Sequence, residues 1–504
     1  MNFLFSLGID LGSSSVKVSL LDLNTGARAS SVTWPESEMP IISKHAGWAE
    51  QDPNLWWQNT KIAIQKLFHD SKLNPSLVQS IGIAYQMHGL VCIDQDLQAV
   101  NLSNIWCDSR AHNIGDSALK LLGEDYCFRH LKNSPGNFTG SKLKWLQQNE
   151  PETFKRVFKI LLPGDFLAMK LSGKVTTTKA GLSEGILWDY LIEEPAWELL
   201  KQWNISREII PDVIPMFSRD LKTTKDINSE LGLPYGTPIS YRAGDQPNNA
   251  FSLNVTKPGE LAATGGTSAV LYGVCDKPVA DKYQRLNTFI HPTSNVSESY
   301  GLMMCLNGGG RAYAWIRALL SNSGGEINYD EMNAQAATCN LGADNLMMFP
   351  FGNGAERILR HNNVGSAFVN LDFNRHGPEH LIRATLEGIA YSLKLGFDIL
   401  QEKKCNTHII RAGSGNLFQS ALFSQLISDL TGCPVEIYNT DGSIGAARGA
   451  AVGAGIYASE SEAFSSLSCQ TTYEPIGLNK TANSFYQAWL ERLAIENTLQ
   501  NFAN

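Results

Sequence analysis

The chain has 504 residues and a formal net charge of −8; hydrophobic cores stop growing near roughly 250–300 residues, so two large domains are expected. Hydrophobic residues at 43% and charged residues at 18% exclude a disordered chain, and an acidic balance without a basic stripe excludes nucleic acid as a partner. No apolar run reaches the length of a membrane span, Met1 to Leu7 lacks the features of a signal segment, and the nine scattered cysteines form no Cys-x-x-Cys pair, so a cytoplasmic protein with no membrane partner and no structural zinc is expected.

Phe5 to Asp22 reads as strand, tight turn, strand, because apolar and β-branched residues flank a Gly/Ser cluster. A Gly-rich tip brings backbone N–H groups to a phosphate and hydroxyls add donors, which makes Gly12, Ser13 and Ser14, with Lys17, candidates for nucleotide binding. Asp10 ends the first strand, where its carboxylate could hold Mg²⁺ or its waters; an ordinary turn-capping Asp is the alternative. Asn54 to Phe68 follows with helical periodicity.

Ser80 to Gly89 reads as a strand ending in a polar loop, and Asn104 to Arg110 as a second, both beside the Asp10 strand. Gln86, His88 and Asp108 would offer directional hydrogen bonds to the hydroxyls of a small acceptor and Trp106 an apolar face for its C–H groups. Seen singly, His88 reads as a core histidine and Trp106 as a packing residue. Leu143 to Phe158 is again helical in period.

Leu233 to Pro238 carries two prolines and a glycine, which suits a crossing between domains; the boundary is placed near Ser240, giving domains 1–240 and 241–504. Tyr241 to Phe251 is a short strand leading into a helix with Pro247 in its first turn. Asp245 stands at that helix's N-terminus, where the macrodipole favours the ionised form a general base needs. In isolation it reads first as an N-cap, since Asp is among the commonest caps.

Gly259 to Val274 repeats the opening hairpin, with Gly265, Gly266, Thr267 and Ser268 at the tip. One Gly/Ser turn means little, but two at matched positions make the cleft between the halves the seat of a polyphosphate. Gly309 and Gly310 are grouped with the same nucleotide site. Helical periods run over Pro378 to Leu400 and Asn416 to Leu430, and between them Ile409 to Asn416 is a strand with a Gly-rich turn. Gly413, Ser414 and Asn416 are candidates to border a purine there. An amphipathic helix around Ser484 to Phe502 ends the chain. Strands alternating with helices imply α/β layers.

Phosphoryl transfer to an alcohol needs a phosphate cradle, a divalent cation, a carboxylate near the acceptor and exclusion of water. The chain has candidates for each.

With these residues in hand the sequence resembles the FGGY carbohydrate kinases over nearly its whole length. The resemblance rests on Gly8-Ile-Asp-Leu-Gly-Ser, Trp48-Ala-Glu-Gln-Asp-Pro53, Gln86-Met-His-Gly89, Trp106-x-Asp-x-Arg110, Gly244-Asp245, Gly265-Gly-Thr-Ser268, Gly354-Ala-Glu-Arg357 and Gly413-Ser-Gly-Asn416. It implies two actin/hexokinase/Hsp70-like (ribonuclease H-like) domains flanking an ATP and sugar cleft. Gln-Met-His-Gly with Trp-Ala-Glu-Gln-Asp-Pro is most similar to the xylulokinase branch; glycerol kinases carry an Arg-Glu pair where Met87-His88 stands.

By this resemblance Asp245 deprotonates the sugar hydroxyl, Asp10 and Asp245 face Mg²⁺, and the hairpins hold phosphates. Met87, His88 and Gln246 would contact sugar, and Gly413 to Asn416 would border adenine. The sequence departs from the branch at Gln246, Asn137 and Thr176 to Ser183. ATP, Mg²⁺ and a small sugar are thus the expected cofactors and substrate, and a homodimer is the assembly to test. The rival class is an actin- or Hsp70-type ATPase without a sugar site.

Overall fold

A computed structural model describes residues 4–503 apart from 294–297, 356, 361, 363 and 478. In the first half the elements that place the site are β1 (Phe5–Leu11), β2 (Val16–Asp22), β3 (Arg28–Trp34), α1 (Pro53–Ser71), β4 (Val78–Tyr85), α2 (Thr139–Asn149), α3 (Lys179–Glu184), β5 (Ile239–Gly244) and α4 (Asp245–Ser252). In the second they are β6 (Glu260–Gly265), β7 (Ala269–Cys275), β8 (Asn287–His291), β9 (Ser299–Leu306), α5 (Gly309–Gly324), α6 (Pro378–Glu402), β10 (Ile409–Gly413), α7 (Ala421–Thr431), β11 (Val435–Tyr438), α8 (Gly442–Gly453), β12 (Cys469–Tyr473) and α9 (Asn479–Ala503).

The first sheet runs β5-β4-β1-β2-β3 and the second β8-β9-β7-β6-β10-β11-β12. In each, an antiparallel hairpin (β1–β2, β6–β7) continues into two parallel strands (β4 and β5, β10 and β11). The two halves therefore share one topology, as the repeated hairpin sequence predicts. β1 and β7 are covered on both faces and read accordingly as near-continuous apolar runs.

The lobes exchange helices. α8 comes from the second half yet lies on the first sheet, where Ala446 and Ala450 pack with Ala84, Tyr241 and Ala243. α4 follows the first sheet, and its end packs Ala250, Leu253 and Val255 against Ala262, Tyr272 and Val274 of the second. The two helices touch where a Cβ on Gly445 would come within 2.4 Å of Ser252 Cβ. Close approach of α8 to the sheet requires glycine at positions 8 and 82: a Cβ there would lie 1.8 Å from the Ser443 carbonyl oxygen and 1.9 Å from that of Ala446.

Residue 240, near which the boundary is expected, lies inside β5, which pairs with β4 in the first sheet. Two expectations meet a different structure. Asn104 to Arg110 is not a strand beside β1: only Ser103–Asn104 is extended, and it pairs with Glu50–Gln51. Beyond it the Asp108 carboxylate accepts from the Ala49 N–H at 2.7 Å and from Arg110, which folds the segment into a turn. The helix expected from 143 to 158 starts at Thr139 and stops at Asn149, because Pro151 supplies no backbone donor. α9 covers the second core with Ala482, Tyr486 and Trp489.

Candidate active site

β5 ends at Gly244 and α4 starts at Asp245. Only glycine fits the junction, since a Cβ on Gly244 would meet Glu184 Oε2 at 2.4 Å and Met87 Cγ at 2.6 Å. Burial raises the Asp245 pKa to about 6, opposed by hydrogen bonds from the backbone and side chain of Gln246. Asp10, at the end of β1, is pushed to about 7, first by burial and then by repulsion from Asp245 and Asp441, with Lys17 opposing.

Both carboxylates line one cavity of about 480 Å³. Gly12, Ser15 and Lys17 of the first hairpin stand on one side and Gly266, Thr267 and Ser268 of the second on the other, with Gln246 beside Asp245. Lys17 Nζ donates to Asp441 at 2.8 Å, and Arg28 reaches the same carboxylate. Burial raises the Asp441 pKa, but the bonds from Lys17 and Ser443 and the charges of Lys17 and Arg28 outweigh it and hold the group below its ordinary value. Asp441 also caps α8, accepting from the Ile444 N–H at 3.1 Å.

A second cavity of about 360 Å³ adjoins the first through Gly266, Thr267 and Asn416, and extends past Gly310 to Tyr313, Leu417 and Gln419. Its mixture of aromatic, aliphatic and amide groups suits a purine. Gly310 donates its N–H to the Gly266 carbonyl at 3.0 Å, tying α5 to the hairpin tip, and a Cβ there would be 2.1 Å from that oxygen.

The candidates read from sequence separate accordingly. Asp10, Gly12, Lys17, Asp245, Gln246, Gly265, Gly266, Thr267, Ser268, Gly310 and Asn416 line these cavities. Ser13, Ser14, Gly309, Gly413 and Ser414 line neither; the Ser414 N–H is bonded to the Tyr438 carbonyl at 2.8 Å. Glu356, in the Gly354 to Arg357 stretch, lies outside the described residues.

The 86–89 loop packs against Gly244, the residue before Asp245. Met87 is buried against Gly244. His88 Nδ1 lies 2.9 Å from the Glu184 carbonyl oxygen; since a carbonyl only accepts, Nδ1 is assigned the proton. Burial and the charges of Lys142 and Arg357 lower the His88 pKa to about 3 against the Glu184 bond, keeping the ring neutral. Nε2 is then an acceptor. Phe138 and Phe289 flank the ring at centroid distances of 4.9 and 5.5 Å.

Gln86 is buried and donates to Gln51 Oε1 at 3.3 Å. Trp106 is 45% exposed, with its indole N–H 3.5 Å from Ser13 Oγ. Asp108 is fully buried and committed to Arg110, whose guanidinium stacks on Trp48 at 3.7 Å.

Sequence reasoning passed over Asp441, Tyr313, Gln419, Phe289 and Glu184. Asp441 had a signal: strand, Asp, then a Gly/Ala-rich helix repeats the Gly244-Asp245 pattern. The others come together only in the tertiary fold.

Among the described residues no three or more His, Cys, Asp or Glu side chains cluster to cage a metal. Two facing carboxylates on a phosphate-sized cavity nonetheless fit Mg²⁺, which binds through one or two carboxylates, water and substrate phosphates. Among the described residues no helix is long and apolar enough to cross a membrane.

Known proteins share the sequence pattern and the fold. Xylulose kinase of Escherichia coli (strain K12) is 27% identical over 453 residues, covering 88% of each chain. The structure of xylulose kinase from Rhodospirillum rubrum superposes with a TM-score of 0.84 at 22% identity over 99% of both chains. That of gluconate kinase from Lactobacillus acidophilus gives 0.88 at 22%, covering 99% of this chain and 100% of that one; the fold likeness thus spans enzymes of different acceptors. Residues 5–252 match the N-terminal domain and residues 261–458 the C-terminal domain of one family. With both domains matched in order along the chain, it belongs to the FGGY family of carbohydrate kinases.

Proposed function

We propose that this kinase moves the γ-phosphate of ATP onto a hydroxyl of a pentulose, D-xylulose foremost, with Asp245 as the base. The observation that carries this reading is the position of Asp245: it opens α4 on the cavity lined by both hairpins, while its neighbour Gly244 packs against Met87. The acceptor hydroxyl gives its proton to the Asp245 carboxylate as its oxygen bonds to phosphorus and ADP leaves. His88 Nε2 accepts from a second sugar hydroxyl. Backbone N–H groups and hydroxyls of the hairpin tips hold the phosphates, and Tyr313, Leu417 and Gln419 receive the adenine. Asp10 and Asp245 would hold Mg²⁺, which would offset phosphate charge.

D-Xylulose is favoured because curated relatives carrying the name xylulose kinase align across most of the chain and because Met87-His88 stands in place of the Arg-Glu pair of glycerol kinases. A cytoplasmic site of action suits nine free cysteines. The division between lobes is placed between residues 252 and 261, after α4. ADP release measured across D-xylulose, D-ribulose, L-ribulose, gluconate and glycerol tests the reading. D-Xylulose is expected to give the highest kcat/KM, and no turnover with any pentulose would overturn it.

A further inference from the structure

Lys142 is among the largest fully buried side chains of the protein. It sits in the first turn of α2, and its ammonium donates to two backbone carbonyls, that of His88 at 2.9 Å and that of Ile105 at 2.8 Å. Burial lowers its pKa to about 8, which leaves it charged at neutral pH. An ammonium taken out of water is costly unless it is paired or hydrogen-bonded, and these two carbonyls supply its bonds.

The two acceptors indicate what is held. His88 has φ 61°, in the left-handed region that a non-glycine residue occupies only when its surroundings impose it. Its side chain is fixed by the Glu184 carbonyl and its own carbonyl by Lys142. Ile105 immediately precedes Trp106, the partly exposed aromatic residue whose indole N–H faces the first hairpin. The same stretch of chain reaches this segment a second time, because Asn137 donates to the Asp108 carbonyl. Lys142 thus joins two segments, 86–89 and 104–106, which among the described residues are linked by β-pairing only at the adjoining Leu90–Asn104 bridge.

We propose that Lys142 is a positioning residue for the acceptor sugar: its ammonium clamps the His88 and Ile105 carbonyls and so aims His88 Nε2 and Trp106 at the substrate. This rests on the assignment of the 86–89 loop to the sugar. Lys142 lines neither cavity, so its loss acts on sugar affinity and leaves the nucleotide site alone.

The test is steady-state kinetics of Lys142→Met, Lys142→Arg and His88→Ala on the full chain, with the best sugar of the acceptor panel and with ATP, alongside thermal melts. Lys142→Met is expected to raise the sugar KM about 10- to 100-fold, the usual consequence of leaving buried acceptors unpaired, while the ATP KM stays within about twofold. Lys142→Arg, which keeps a cation and its donors in a bulkier side chain, is expected to recover part of the loss. If Lys142→Met does not fold, Lys142→Gln, which retains amide donors on a shorter stem, carries the same comparison. Unchanged sugar KM, or sugar and ATP KM rising together in a folded variant, overturns the proposal. His88→Ala separates the two failures: if it too leaves the sugar KM unchanged, the assignment of the loop to the sugar falls; if it raises that KM while Lys142→Met does not, only the role of Lys142 falls.

Discussion

A buried carboxylate serves as a base only while ionised, and burial works against Asp245 by raising its pKa to about 6. Below that pH the group is protonated and cannot take a proton from the sugar; above it the base is available. kcat/KM is therefore expected to climb with pH on the acid side and to level off above about pH 7, once Asp10, raised to about 7, is ionised as well. A profile that is flat through this range would remove Asp245 from the role. Asp245→Asn, which keeps the shape of the side chain, is expected to lower kcat by about 10²- to 10⁴-fold with ADP affinity unchanged, read by titration calorimetry. Asp245 and Asp10 were legible in the sequence because each stands at a strand end beside a turn or helix start, and such positions face a cleft in an α/β fold. Asp108 shows the limit of that reasoning. Its residue type suits a sugar, but its true partner Arg110 is sandwiched by Trp48 and Trp145 from distant segments. Glu184 was invisible for a related cause, since its importance lies in touching Gly244 and His88, 60 and 96 residues away.

The hairpins and the parallel strands behind them announce themselves through local pattern, but the close packing between elements does not. Gly82 in β4 looks like any strand glycine, yet α8 lies so close that an added methyl would stand 1.9 Å from the Ala446 carbonyl oxygen. Backbone cannot yield as a flexible side chain does, so Gly82→Ala is expected to destabilise the protein by about 3 kcal/mol, seen as a lower denaturation midpoint in urea. Gly413 provides the contrast: its nearest neighbour, the Thr440 carbonyl oxygen, would be 3.7 Å from a new Cβ. Gly413→Ala is expected to change stability by no more than about 0.5 kcal/mol. Equal losses at the two positions would mean that close approach of α8 is not what glycine provides at residue 82.

At the scale of the whole molecule, two domains of matching topology invite the expectation that each folds alone, and the exchange of helices argues against it. The first sheet is complete by Gly244, but one of its faces is covered by α8, which the chain reaches only after building the second sheet. A fragment of residues 1–260 would leave β1, β2, β4 and β5 bare on that side, exposing Leu21, Ala84, Tyr241 and Ala243, now covered partly by Ile444, Ala446, Ala447 and Ala450. Lys17 and Arg28 would also lose Asp441, their shared counter-charge. An open apolar sheet face of this kind favours aggregation over a cooperative fold. The fragment is therefore expected to run as aggregate on size exclusion and to lack a sharp melt, whereas co-expression with residues 261–504 restores a soluble one-to-one complex through docking of α8. A cooperative melt of the lone fragment near the temperature of the intact chain would show that the first lobe does not depend on α8. The chain crossing would then be a tether rather than part of the core.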